Sequence, residues 1–246
     1  MIIVISQPML FPWVGMLEQI RMADTFVHYP DVQFSKGSFV NRVQIKTSRG
    51  MKWLTVPLYS LRLGQKINEV KINNQDDWRD EHLQMLSDAY IDSPYVGEML
   101  NLVESVYAYD YENIGSLSEA SVLALCQYFG IDSREKFLSS EKLGIEGSGS
   151  RRVLDIVLAL GGDTYLTGHG ASKYLDHQGF EQAGVRVEYM DYAKVPYAQL
   201  HGEFTPYVSA LDLVANTGSS GIDFIRPRST YWKDFLSDKR NRKIPG

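Results

Sequence analysis

The chain has 246 residues and a single cysteine, so no disulfide can staple it internally. That residue, Cys126, sits in the apolar stretch Val122-Leu123-Ala124-Leu125-Cys126 and reads as a small buried hydrophobe rather than a nucleophile. No cysteine and histidine spacing suggests zinc, and no metal site is expected. No apolar run reaches roughly 18 residues, which excludes an encoded membrane-spanning helix. Met1 leads straight into Ile2-Ile3-Val4-Ile5 with no basic segment before it, so a signal peptide is not expected and a cytoplasmic location is. The P-loop pattern, the GxGxxG of dinucleotide folds and the GxSxG nucleophile elbow are all missing. No internal repeat or low-complexity tract is present.

Acid is lacking locally. Between Ser35 and Lys66 there is no Asp or Glu, while Lys36, Arg42, Lys46, Arg49, Lys52, Arg62 and Lys66 are all cationic. The whole chain nets −5, which argues against general nucleic-acid binding. Two readings of the cationic window stand side by side. It is either an edge hairpin guarded by lysines against edge pairing, or a face for an anionic ligand such as a sugar nucleotide or a lipid diphosphate.

An apolar content of 44% suffices for a sizeable core. Ile2 to Ser6 reads as a buried strand, and Gly15 to Ala23 has Met16, Leu17, Ile20 and Ala23 at helical spacing. Thr25 to Tyr29 reads as the next strand. Residues 39–46 and 53–58 form a hairpin about Ser48-Arg49-Gly50, with a further strand over 67–72. Helices are expected from Asp76-Asp77 to Tyr90, from Ser93-Pro94 to Ala108, and from Ser116 to Phe129. Strands at 136–140, 164–168 and 185–191 alternate with a helix over 151–160 and a helical turn over 171–176. The tail from Ser237 to Gly246 is rich in Lys and Arg and is expected to be mobile. The expectation is an α/β fold, Rossmann-like and doubly wound, with a mainly parallel sheet of about five strands. Residues 1–246 form a single domain in this reading. Residues 35–130, a basic hairpin region followed by helices, are an insertion between the second and third strands.

In open α/β sheets ligands bind at the carboxyl ends of the strands. Gln7, with an amide donor and acceptor, stands at the end of the first strand. Trp13 offers a flat face for a ring, and Gly15 lets backbone approach a ligand at a helix N-terminus. Past the second strand, Asp31 and Gln33 alternate onto one face and can converge with Gln7; Asp31 is a candidate general base or amine anchor. His28, within that strand, reads as core rather than catalytic. Asn41, Arg42 and Lys46 lie on the hairpin, and the last two share a strand face suited to a diphosphate. Gly147-Ser148-Gly149-Ser150-Arg151 precedes a helix and suits either a phosphate turn or a flexible loop with a serine cap. The Gly-rich turn with Thr167, His169, Ser172 and Lys173 is a plausible second wall, and His169, flanked by glycines, is a candidate base.

The chain resembles the WbqC-like family of bacterial proteins. The resemblance runs through Gln7-Pro8, Pro12-Trp13-Val14-Gly15, Ala23-Asp24, residues 31–36 with Lys36, Asn41-Arg42 and residues 54–57. It resumes in residues 165–168, 174–176, 197–199, 204–206 and 209–212. It implies a setting in surface-polysaccharide and O-antigen synthesis. It suggests a transferase placing an acyl or aminoacyl group on a nucleotide-linked amino sugar, with no cofactor indicated. In that reading Arg42, Lys46 and Arg151 hold phosphates, Trp13 packs the sugar, and Asp31 or His169 takes a proton from the attacking amine. A partial likeness to adenylyl-transferring ligases of the pantothenate synthetase type keeps an ATP-dependent ligase or nucleotidyltransferase open. A non-catalytic role in polysaccharide assembly, with the hairpin as a docking edge, also stays open.

Overall fold

A computed structural model describes residues 1–131 and 134–241. The chain opens with β1 (Ile2–Ser6), α1 (Val14–Met22) and β2 (Thr25–His28). The hairpin β3 (Arg42–Thr47) and β4 (Gly50–Thr55) follows, then α2 (Trp78–Tyr90), α3 (Val96–Tyr107) and α4 (Ile114–Tyr128). The second part alternates β5 (Phe137–Ser139), α5 (Gly149–Ala159), β6 (Thr164–Thr167), α6 (His177–Gln182) and β7 (Arg186–Met190). It ends with α7 (Ala210–Thr217), β8 (Ser229–Tyr231) and α8 (Trp232–Asn241).

The central sheet has six strands in the order β5-β2-β1-β6-β7-β8, and the hairpin is a separate two-stranded sheet. Every pair in the central sheet is parallel except β7–β8. Chain order runs outward from β1 through β2 to β5, then returns to β6 on the other side. The reversal lies between β1 and β6, and it is there that the loops after the two strands diverge and leave a crevice.

Side chains along each strand alternate faces, and this builds two cores. Val4, Phe26, Leu166 and Met190 pack with α1, α7, the hairpin and the helices α2–α4. Ile3, Ile5, Val27, Tyr165, Val187 and Tyr189 pack with α5, α6 and part of α8. Strands covered on both sides explain the short, almost wholly apolar runs. Gly162, at the turn before β6, permits the closest approach: a Cβ there would stand 2.5 Å from Ile3 Cγ1 and 2.9 Å from Val157 Cγ1.

Several expectations need correction. Residues 67–72 are not a strand; Ile67–Glu69 form a 3-10 turn. Local bonds win there, with Lys66 N–H donating to Glu69 Oε2 at 3.1 Å, and the turn's spacing buries both Ile67 and Val70. The antiparallel β8 and the helices α6 and α7 add elements that the spacing did not reveal. The expected mobile tail is partly helix. Trp232 stacks on His177 with ring centroids 4.6 Å apart, Phe235 lies 4.2 Å from Tyr189, and α8 runs through Asn241. Residues 242–246 of that expectation lie outside the described residues. α4 begins at Ile114 because Asn113, not a residue at 116, caps it; Asn113 Oδ1 accepts from Ser116 N–H at 2.9 Å. Cys126 is buried. Among the described residues no helix is long and apolar enough to cross a membrane.

Candidate functional site

The loop from β1 to α1 is fixed at several points. Leu10 and Phe11 are fully buried, which makes this loop part of the core rather than a mobile flap. Phe11 adopts a left-handed φ of 36°. Its N–H donates to Ser121 Oγ at 2.8 Å, and its carbonyl accepts from Ser209 Oγ at 2.7 Å. The loop then delivers Trp13 to the start of α1, with its ring lying flat over Gly15. A Cβ on Gly15 would meet that ring at 2.4 Å, so glycine here makes room for the indole. Trp13 packs on Tyr192 with ring centroids 4.6 Å apart and lies 6.5 Å from Tyr207.

Gln7 and Trp13 open onto a cleft of about 1070 Å³ at the carboxyl edge of the sheet. Asp31, Gln33, Tyr29 and Lys66 contribute from beyond β2, and Gly147, Ser148, Gly149 and Arg152 from the start of α5. Thr167, Gly168, His169 and Tyr174 come from the end of β6, and Tyr192, Lys194 and Tyr207 from the region after β7. The volume is in the range that holds a nucleotide-sized ligand. The cations Lys66, Arg152 and Lys194 outnumber the carboxylate of Asp31, and the N-terminus of α5 adds N–H dipoles of the same sign.

Asp31 and Arg152 form an ion pair whose side chains are only 13% and 7% exposed. Ser140 Oγ also donates to Asp31, Arg152 Nε donates to the Ile145 carbonyl at 2.8 Å, and the guanidinium lies 4.9 Å from the Tyr29 ring. Burial pushes the Asp31 carboxyl up, but the hydrogen bonds from Arg152 and Ser140 and the guanidinium charge outweigh it and hold the pKa below its ordinary value. Asp31 is thus ionised and strongly engaged. His169 differs. Its Nε2 pairs with the Met190 carbonyl at 2.7 Å, so that nitrogen is the donor and Nδ1 is left as an acceptor. Its ring is exposed and stands 5.1 Å from Tyr192 and 4.8 Å from Phe235.

Of the residues expected at a site, Gln7, Trp13, Asp31, Gln33, Thr167 and His169 line this one cleft. Gly15 faces a smaller side pocket behind Trp13. The remaining residues lie away from the cleft walls. Asn41 is buried and donates to the Val56 carbonyl at 3.0 Å. Arg42 donates to the Gly37 carbonyl and stacks on Trp53 at 4.2 Å. Lys46 is buried, and its ammonium donates to Gln199 Oε1 and to the carbonyls of Gly202 and Glu203. Arg151 pairs with Asp155 on the outer face of α5, and Lys36 and Lys173 are exposed. His28 is buried, with neither ring nitrogen partnered, and burial pulls its pKa down to about 4.

Arg152, Tyr29, Tyr174, Tyr192 and Lys194 are cleft residues that the sequence did not single out. The signal for Arg152 was present: it lies four residues before the buried Ile156, whereas Arg151 lies four before the surface-facing Asp155. Helical phase alone separates the two arginines. Tyr192 and Lys194 follow the last parallel strand, at the edge where ligands bind. Among the described residues no group of three or more His, Cys, Asp or Glu side chains converges to hold a metal.

Comparison with known proteins places the chain in a family. The model of the WbqC-like protein family matches residues 7–224. The chain is 31% identical over 227 residues to the uncharacterized protein Rv1507c of Mycobacterium tuberculosis, a match that covers 91% of this chain and 97% of that protein. No solved structure matches.

Proposed function

The chain belongs to the WbqC-like protein family, and from that premise and the cleft we propose that it is a transferase acting on a nucleotide-linked amino sugar. The observation that carries the reading is the convergence of Gln7, Arg152 with the α5 N-terminus, and His169 on one cleft at the point where strand order reverses. Phosphates bind against the N–H groups of Ser148 and Gly149 and the cations Arg152 and Lys66. Trp13 and Tyr207 give a flat wall for the sugar or base, and Gln7 reads hydroxyl or amide groups.

The chemistry is acyl or aminoacyl transfer. The neutral amine of the sugar attacks an activated carbonyl, and His169 Nδ1 takes the proton that the amine releases. The new C–N bond forms, the bond to the activating group breaks, and the departing group takes that proton from His169. Asp31 does not act as the base in this scheme, because its pairing makes it weakly basic. It holds Arg152 in place.

A thermal-shift and calorimetric panel tests the proposal, using uridine and thymidine diphosphate amino sugars, the bare nucleoside diphosphates, and ATP with magnesium. A ligand at a hundred times its Kd stabilises the fold by about 2.7 kcal/mol, which for a chain of this size is a rise of roughly 5–10 °C. Amino-sugar nucleotides are expected to give that rise, and His169→Asn to retain it. If ATP–magnesium alone stabilises the protein, the ligase reading replaces this one. If nothing in the panel does, the cleft is not a nucleotide-sugar site.

A further inference from the structure

Behind Trp13 lies a second, smaller pocket of about 20 Å³. Its walls are aromatic: Trp13, Tyr192, Tyr197, Phe204 and Phe224. Its one acid is Glu18, on α1, which is 1% exposed. The backbone N–H groups of Ala193 and Arg226 hydrogen-bond to the carboxylate, yet Glu18 Oε1 is buried with no partner. A buried carboxylate oxygen without a donor is costly, so its retention calls for an explanation.

The neighbouring cations do not supply one. Arg228 pairs with Asp191 at 3.2 Å. Arg226 Nε donates to the Asp223 carbonyl at 2.7 Å. Lys194 lines both pockets, but its ammonium turns to the Tyr207 hydroxyl at 2.9 Å, on the side of the main cleft. What the pocket lacks is a small cationic donor. Carboxylate and ring faces together attract a cation. A space near that of one water molecule admits a small primary ammonium.

Trp13, Tyr192 and Lys194 belong to the walls of both cavities. Tyr192 is the partition. Its ring stands 4.6 Å from Trp13 on one side and 5.1 Å from His169 on the other, and its hydroxyl accepts from Gln19 Nε2 at 3.2 Å.

We propose that Glu18 and its aromatic walls form a subsite for a small primary ammonium. Burial raises the Glu18 carboxyl to about 7, so a bound cation also restores the charge that burial suppresses.

The test compares glycinamide and methylammonium with their neutral counterparts glycolamide and acetamide, by ligand-detected NMR titration of the full chain and of Glu18→Gln. The cations are expected to bind the unmodified protein at least tenfold more tightly than the neutral probes, and Glu18→Gln to abolish the preference. In the unmodified protein cation affinity should fall about tenfold per pH unit below pH 7, while binding of the neutral probes stays flat. The other titratable and charged groups in and around the pocket are Asp191, Tyr192, Lys194, Tyr197, Arg226 and Arg228. Equal binding of cationic and neutral probes, or a preference that survives Glu18→Gln, overturns the subsite and leaves a pocket for water only. A uridine diphosphate glucose titration run in parallel separates the two ideas. Sugar-nucleotide binding without ammonium preference sinks the subsite alone, and the reverse sinks the transferase reading of the cleft alone.

Discussion

Replacing Arg152 by Met separates what holds this fold from what the cleft does. The guanidinium is 7% exposed and its partner Asp31 13%. Removing it leaves a desolvated carboxylate with the Ser140 hydroxyl as its remaining side-chain donor and frees the Ile145 carbonyl. Breaking a buried pair in this way costs about 3–5 kcal/mol, and the lower end applies here because both side chains border the open cleft. At roughly 2–4 °C per kcal/mol for a chain of this size, Arg152→Met should melt about 6–12 °C below the unmodified protein at pH 7. Adding Asp31→Asn removes the orphaned charge and should restore at least half of that loss. The folded pKa of Asp31 is depressed. Its contribution is therefore full above the ordinary carboxylate pKa and disappears as pH falls through the lower, folded one. The gap between Arg152→Met and the unmodified protein should narrow in acid and close as pH falls through that lower, folded pKa. Calorimetric melts across pH 3–8 measure all of this. A single variant that melts within about 2 °C of the unmodified protein, or a double variant no better than the single, refutes the reasoning. If the double variant is stable yet no longer binds sugar nucleotides, the pair serves the cleft as well as the fold.

Gly162→Ala would drive a Cβ to 2.5 Å from Ile3 Cγ1; overpacking of this kind costs about 1–3 kcal/mol, so a lower denaturation midpoint with unchanged ligand binding is expected. The pKa of His28 is lowered from 6.5 to about 4, so the unfolded chain takes up the proton first and stability falls as pH drops through that window. His28→Phe should flatten this acid slope in denaturant melts at pH 4–7, with His82, shifted by the same cause, sustaining the remainder; an unchanged slope contradicts the assignment. Lys46→Met removes the donor to Gln199, Gly202 and Glu203. Hydrogen exchange and limited proteolysis should rise selectively over residues 199–205, with a loss of about 2 kcal/mol; protection equal to that of the unmodified chain argues against the anchor.

The parallel strands were legible because each is a short apolar run followed by a helix of period 3.6, and both signals are local. The candidate site was half legible for a related reason. Strand ends are local features, so the amino-acid order by itself puts Gln7, Asp31, Thr167 and His169 at one sheet edge. Arg42 and Lys46 were drawn to the site by charge, but charge does not say where a side chain points. Lys46 extends its ammonium to carbonyls some 150 residues further along the chain, a pairing no window of sequence contains. The 3-10 turn at Ile67–Glu69 was misread because Ile67, Val70 and Ile72 suit either a strand or a tight turn, and the bond from Lys66 to Glu69 decided between them. Glu18 was hidden for the opposite reason. An acid within a helix reads as surface, and only the packing of α1 against the region after β7 buries it.

Several of the residues that carry the family likeness outside the cleft serve one mechanical end. Tyr197 Oη and Gln199 Nε2 donate to Asp212 Oδ1 at 2.8 and 2.9 Å, and Tyr90 Oη donates to its other oxygen at 3.0 Å. This buried network fixes α7, and the serine that caps α7, Ser209, holds the carbonyl of Phe11. Ser121 of α4 holds the N–H of the same residue. Phe11 is thereby kept in a left-handed conformation that costs about 1–3 kcal/mol for a non-glycine residue, a strain that persists only where the surroundings over-determine it. Two helices distant in sequence thus clamp both sides of one residue, between Gln7 and Trp13. A loop free to relax would let both side chains wander. A loop gripped on each side of Phe11 presents them at fixed positions, and a binding site needs that preorganisation. The helices between β2 and β5, and α7 itself, therefore act on the cleft without lining it, by determining where the β1 loop can go.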